Sequence, residues 1–122
     1  MKKIMIMVLL LLAFGLSACA TKYPPPNTEI SMAKSAISQA EKAGAYDAAP
    51  VELRSAREKL NLAREALNNE DNLKAMRLAE QAAADANLAE VKARAENSRK
   101  ALQEIQDSIK ALQDEINRKS DS

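Results

Sequence analysis

From Glu70 to Arg118 the chain contains neither proline nor glycine, and its apolar rhythm never breaks. Those two residues are the strongest helix breakers, so a stretch without them predicts one helix, about 70 Å long at 1.5 Å per residue. The rest of the chain has to arrange itself on that rod. Its first half carries a stripe of small residues, Ala75, Ala79, Ala82, Ala86, Ala89 and Ala93, spaced three and four apart. Such a stripe lets other helices approach at the short end of the usual ~8–10 Å range. A second seam starts before the first has ended: Leu88, Val91, Ala95, Ser98, Leu102, Ile105, Ile109, Leu112 and Ile116, again with every spacing three or four.

The punctuation upstream predicts two shorter helices. Asn27 or Thr28 can cap the first, with Glu29 well placed in its first turn. Its apolar face is Ile30, Ala33, Ile37 and Ala40, and Gly44 supplies the stop. Residues 45–49 connect to Pro50, which suits the first turn of a helix. Leu53, Ala56, Leu60, Ala63 and Leu67 then repeat the three-four spacing of an amphipathic helix. Asn68 and Asn69 end it, and Asn69 or Asp71 can cap the long helix. The expected fold is all-α: a short antiparallel bundle in which two shorter helices pack on one long helix, with a coiled-coil-like C-terminal extension.

This arrangement carries a tension. The two shorter helices reach only the first half of the long one, yet the most apolar residues, Leu102, Ile105, Ile109, Leu112 and Ile116, lie in its second half. An exposed stripe of that length is costly in water, which predicts self-association as a coiled coil or docking on an envelope protein. A fold-back near Asn97 and Ser98 into a fourth helix would also cover it, but the unbroken register argues against a bend there. Acid-first pairs four apart, Glu70 with Lys74, Glu90 with Arg94, Glu96 with Lys100, Asp114 with Arg118 and Glu115 with Lys119, describe a solvated face. With Leu88, Leu102, Ile109 and Ile116 at a positions, Arg94 would oppose Arg99 of a parallel partner. Charge thus does not encode a parallel dimer, and the mixed order of Leu and Ile leaves strand number open.

Composition narrows the chemistry. The chain has no histidine and one cysteine, so it offers no His/Cys metal site and no Ser/His or Cys/His nucleophile. Adjacent carboxylates such as Glu70 and Asp71 point in different directions on a helix and cannot act as a paired acid and base. No catalytic residue, metal ligand or small-molecule substrate is expected, and the reading is non-enzymatic.

The N-terminus gives an address. Lys2 and Lys3 precede an apolar run from Ile4 to Phe14, too short to span a bilayer, and then comes Leu16-Ser17-Ala18-Cys19. The order resembles the signal and lipobox of bacterial lipoproteins. That resemblance implies cleavage after Ala18, a diacylglycerol unit on the Cys19 thiol and an N-acyl chain, with no other cofactor. Ala20 stands where an Asp would retain such a protein at the inner membrane, implying the outer membrane, facing the periplasm. Removing the first 18 residues, with Lys2 and Lys3, leaves 16 basic against 17 acidic residues. The body is then near neutral at about −1, with no basic block for nucleic acid. Residues 20–27, including Pro24, Pro25 and Pro26, read as an extended tether.

From Ala49 to Ala63 the sequence follows Ala-Pro-x-Glu-Leu-x-x-Ala-x-x-Lys-Leu-x-x-Ala, and Leu78-Ala79-Glu80-Gln81-Ala82 follows in the long helix. Together these resemble an uncharacterised domain of proteobacterial envelope lipoproteins, which transfers no catalytic or binding residue. The organisation expected is signal peptide 1–18, lipidated cysteine and tether 19–27, three-helix bundle 28–97, and coiled-coil-like extension with a polar tail 98–122. The function expected is a lipid-anchored scaffold acting through helical self-association, with an adaptor docking its C-terminal helix on an envelope complex or the cell-wall layer as the alternative.

Overall fold

The computed structural model describes residues 23–120, which form four helices and no strand: α1 (Asn27–Lys42), α2 (Ala45–Ala48), α3 (Pro50–Asn68) and α4 (Asn72–Ser120). The fold is all-α, with α4 as its axis. Both α1 and α3 pack more extensively on α4 than on each other. α1 runs parallel to α4, its C-terminal end fixed where Asn97 Nδ2 donates to the Ala43 carbonyl at 3.0 Å. α3 runs back antiparallel, with Glu52 paired to Lys92 near its start, and Ser55 and Lys59 bonded to Asp85 further down.

The core follows from the alanine stripe. Ala75, Ala79, Ala82, Ala86, Ala89 and Ala93 are all fully buried, and from Ala79 onward they form one core with Ala33, Ala36, Ile37 and Ala40 of α1 and Leu53, Ala56, Leu60 and Ala63 of α3. Among the described residues Leu53 is the largest side chain with essentially no exposure. Each methyl buries little area, so the stripe contributes through closeness of approach and dispersion rather than bulk. α3 deviates slightly from the expected face: Ala66 is buried and Leu67 only half-buried. At 3.6 residues per turn a strict seven-residue repeat drifts off the contact line, and the smaller neighbour takes the last position.

Polar links at the edges fix the helices in register. Ser55 Oγ and Lys59 Nζ both donate to Asp85 Oδ2, at 2.7 and 2.6 Å. Burial raises the Asp85 carboxyl, but these two bonds outweigh it and hold it below the ordinary aspartate range. Because the folded value is depressed, the link contributes stability at neutral pH that is lost as pH falls through that lowered value. Arg57 joins three elements: its Nε donates to Glu41 Oε1 at 3.1 Å, and its guanidinium bonds the Tyr46 hydroxyl and lies 4.8 Å from the centre of that ring.

The helix ends differ from the simplest capping scheme. α1 opens with Pro26 as its flanking residue and no side-chain cap, Asn27 being already helical; the Ile30 amide bonds the Pro26 carbonyl at 3.1 Å. Residues 45–48, expected as plain connection, wind into the single turn of α2 after Gly44, whose φ of 90° is the left-handed geometry that glycine tolerates. α3 ends in a Schellman turn, in which the Asp71 amide bonds Ala66 O at 2.9 Å and the Glu70 amide bonds Leu67 O at 3.0 Å. That turn puts Glu70 in the left-handed region, φ 59°. Asp71 then caps α4 by accepting from the Lys74 amide at 3.2 Å.

Two stability outcomes are expected in denaturant titrations. Glu70→Gly relieves a side chain held at positive φ and raises stability by about 0.5–1 kcal/mol; an unchanged or lowered midpoint contradicts the turn. Ala86→Leu overfills a fully buried position of the stripe and costs about 1–3 kcal/mol, while Ala111→Leu, on the exposed part of α4, stays within about 0.5 kcal/mol of the parent. Equal effects at the two positions would mean that the alanine stripe is not the packing axis.

Candidate association surface

α4 continues without a break through Asn97 and Ser98 to Ser120. Ala93 is its last buried residue, and the Asn97 bond to Ala43 is the last link to the bundle that the helix makes. From there, among the described residues, the helix projects by itself for about 35 Å. A fold-back into a fourth helix does not occur. Residues 98–114 and 116–120 are all exposed, and Glu115 alone in this stretch is half-buried.

The projecting segment carries the seam. Leu102, Ile105, Ile109, Leu112 and Ile116 are 50–65% exposed, and within the bundle half of the same helix Val91 is 63% and Leu88 48% exposed. Scattered exposed leucines are ordinary, but these share one face over about 42 Å from Leu88 to Ile116. The seam is nearly opposite the alanine stripe around the helix, since Ala86, Ala89 and Ala93 fall at b and f positions when Leu88 is placed at a. α4 therefore shows one apolar face to its own chain and another to solvent.

The flanks of the seam are polar and locally paired. Arg94 bonds Glu90 at 2.7 Å, Arg99 bonds Glu96 at 2.8 Å, Arg118 reaches Glu115 at 2.7 Å and Lys119 reaches the same carboxylate at 3.4 Å. Glu96 takes its partner three residues on, at Arg99, where the acid-first spacing suggested Lys100; the hydrogen bond from Arg99 lowers the Glu96 carboxyl, and Arg99 is raised in turn. Gln103 Nε2 donates to Asp107 Oδ1 at 3.1 Å on the side of the helix away from the seam. These pairs are exposed and screened by solvent, so they contribute little to stability.

Other surface features are shallow. A hollow between Tyr23, Pro24, Pro25, Leu67, Glu70 and Asn72 marks where the N-terminal segment joins the bundle, and Asn72 Nδ2 donates to the Tyr23 carbonyl at 2.6 Å. This bond was not foreseeable from spacing, since the two residues are 49 positions apart. It places the start of the described chain at the base of α4, the end away from the projecting tip. Among the described residues no His, Cys, Asp and Glu side chains gather in a group of three or more that could hold a metal ion. Among the same residues no helix is long and apolar enough to cross a membrane. Leu16, Ser17, Ala18 and Cys19 lie outside the described residues.

No curated protein and no solved structure matches the chain. Residues 28–105 match a family described as a domain of unknown function, DUF4398, and this span takes in α1, α2, α3 and α4 as far as Ile105. With more than half of its length inside that match, the chain belongs to the DUF4398 family.

Proposed function

We propose that this protein is a lipid-anchored envelope scaffold, non-enzymatic, that works by self-association through the projecting part of α4. The observation that carries the reading is the seam from Leu102 to Ile116, solvent-facing on a helix that outruns its own bundle. A long apolar face is costly in water until something covers it. The address rests on different residues: the charged start, the apolar run and Leu16-Ser17-Ala18-Cys19, which resemble a lipoprotein signal. Acylation of Cys19 with more than one chain would make attachment lasting, and Ala20 favours the outer membrane, facing the periplasm. The Tyr23–Asn72 bond is compatible with this, because it brings the tether out at the base and leaves the tip pointing away from the anchor.

Two measurements test the two halves separately. Cys19→Ser is expected to abolish metabolic acyl labelling and leave an unprocessed precursor; undiminished labelling would remove the lipoprotein assignment. In sedimentation equilibrium the body from Ala20 to Ser122 is expected to form a defined oligomer, and the same body ending at Ala101 a folded monomer. If both sediment as monomers, self-association is wrong and the seam is left for a different envelope protein.

A further inference from the structure

The seam has a direction built into it. On the a/d assignment used above, Leu88, Ala95, Leu102, Ile109 and Ile116 are a positions, and Val91, Ser98, Ile105 and Leu112 are d positions. In a parallel in-register pair like meets like. Ala95 would then face Ala95 and Ser98 would face Ser98, leaving two consecutive underfilled layers, and Arg94 at g would meet Arg99 at e. An antiparallel pair instead sets a against d and g against g.

We propose that the seam docks a second copy of this chain, antiparallel, in the register centred between Gln103 and Glu104. In that register Val91 meets Ile116 of the second copy, Ala95 meets Leu112, Ser98 meets Ile109 and Leu102 meets Ile105, each pairing occurring twice by symmetry. Both small seam residues face large ones, so the layers fill evenly. The flanks agree with the layers: Arg94 meets Glu115 of the second copy on both sides, an attractive pair where the parallel arrangement has a repulsive one. One heptad step of the second copy in either direction loses this. Sliding one way sets Arg99 against Arg99, and sliding the other moves Lys119, which the proposed register sets against Leu88 at the end of the seam, one layer inward against Ala95; both take Arg94 away from Glu115.

The bundle does not obstruct the contact. Its alanine stripe occupies the opposite face of α4, so a second α4 lies along Val91 and Ala95 without displacing α1 or α3. The six large side chains from Val91 to Ile116, each at least half exposed, offer on the order of 600 Å² per copy, or about 1,200 Å² for the pair, the lower end of the range for stable interfaces. The resulting rod is about 95 Å from base to base, with a bundle at either end. This proposal deepens the self-association reading and rests on it.

Cysteine crosslinking in the full-length chain tests it. Ala95→Cys and Leu112→Cys are exposed substitutions placed in two differently tagged copies and co-expressed, with the unaltered chain, which retains Cys19, as background. The proposed register brings positions 95 and 112 of different copies within disulfide reach, while 95 to 95 and 112 to 112 are each about 25 Å apart. The expected result is a mixed disulfide at least about tenfold above either variant expressed by itself. Arg94→Glu or Glu115→Arg singly should reduce that product by about threefold, and the two together should restore it. Disulfides formed by each variant with itself would overturn the antiparallel register and leave self-association standing. No disulfide in any pairing overturns the proposal, and amine crosslinking of the parent chain then shows whether self-association falls with it.

Discussion

The close approach of α1 and α3 to the alanine stripe of α4 is the contact on which everything else in this molecule depends. Six fully buried methyl groups, from Ala75 to Ala93, set the distance between helix axes, and the facing alanines of α1 and α3 accept it. The core this makes is thin in apolar area, because among the described residues Ile37, Leu53 and Leu60 are the only large side chains buried in it. Dispersion between closely packed backbones has to replace bulk. Such a core is also unforgiving, since a gap or an extra methylene at the closest point cannot be absorbed by a flexible neighbour. The polar links at Asp85, Arg57 and Asn97 sit around its edges, where they hold register without interrupting the apolar contact.

That packing explains the length of α4. Nucleation is the costly step in forming a helix, and each added turn is then close to neutral in free energy for residues with good propensity. The bundle nucleates α4 over its first half, and the projecting half extends from a structure already made. Ala, Leu, Gln, Glu and Lys dominate from Ala101 to Lys119 and support the extension, together with the local pairs at Glu96 and Glu115. The projecting helix therefore needs no tertiary contact to exist, which leaves its apolar face available to another molecule.

How much of this could be read from the sequence depends on whether the signal was periodic. The alanine stripe and the exposed seam were both legible, because each is a row of like residues at helical spacing and burial follows directly from which face meets α1 and α3. Gly44 was legible as a stop for the same kind of reason, a residue type suited to one backbone geometry. What could not be read were features that arise from meeting rather than from repeating. Glu70 at φ 59° is chosen by the Schellman turn that joins α3 to α4, and nothing in a glutamate marks it for that position. The turn of α2, the shift of burial from Leu67 to Ala66, and the bonds Asn72 to Tyr23 and Asn97 to Ala43 depend on partners far away in sequence. Asn97 illustrates the point well: the unbroken register around it argued against a bend, but nothing in the sequence showed that it ties the helix to the end of α1.

The two faces of α4 differ in side-chain size in a way that suits one to folding and the other to the proposed association. Alanine on the inner face allows intimate contact but offers little area, so it suits a permanent packing made by helices already joined in one chain. Leucine and isoleucine on the outer face offer several times more area per residue, which an intermolecular contact requires because it must also overcome lost translational and rotational freedom. The small seam residues, Ala95 and Ser98, fall where the bundle ends, and in the proposed antiparallel register each would face a large residue of the second copy's tip, which would keep the spacing of the two helices even. With a core as thin as this one, apolar area buried against a second copy would add measurably to the stability of both. Folding and assembly would then be coupled through a single helix, with the inner face setting its straightness and the outer face using it.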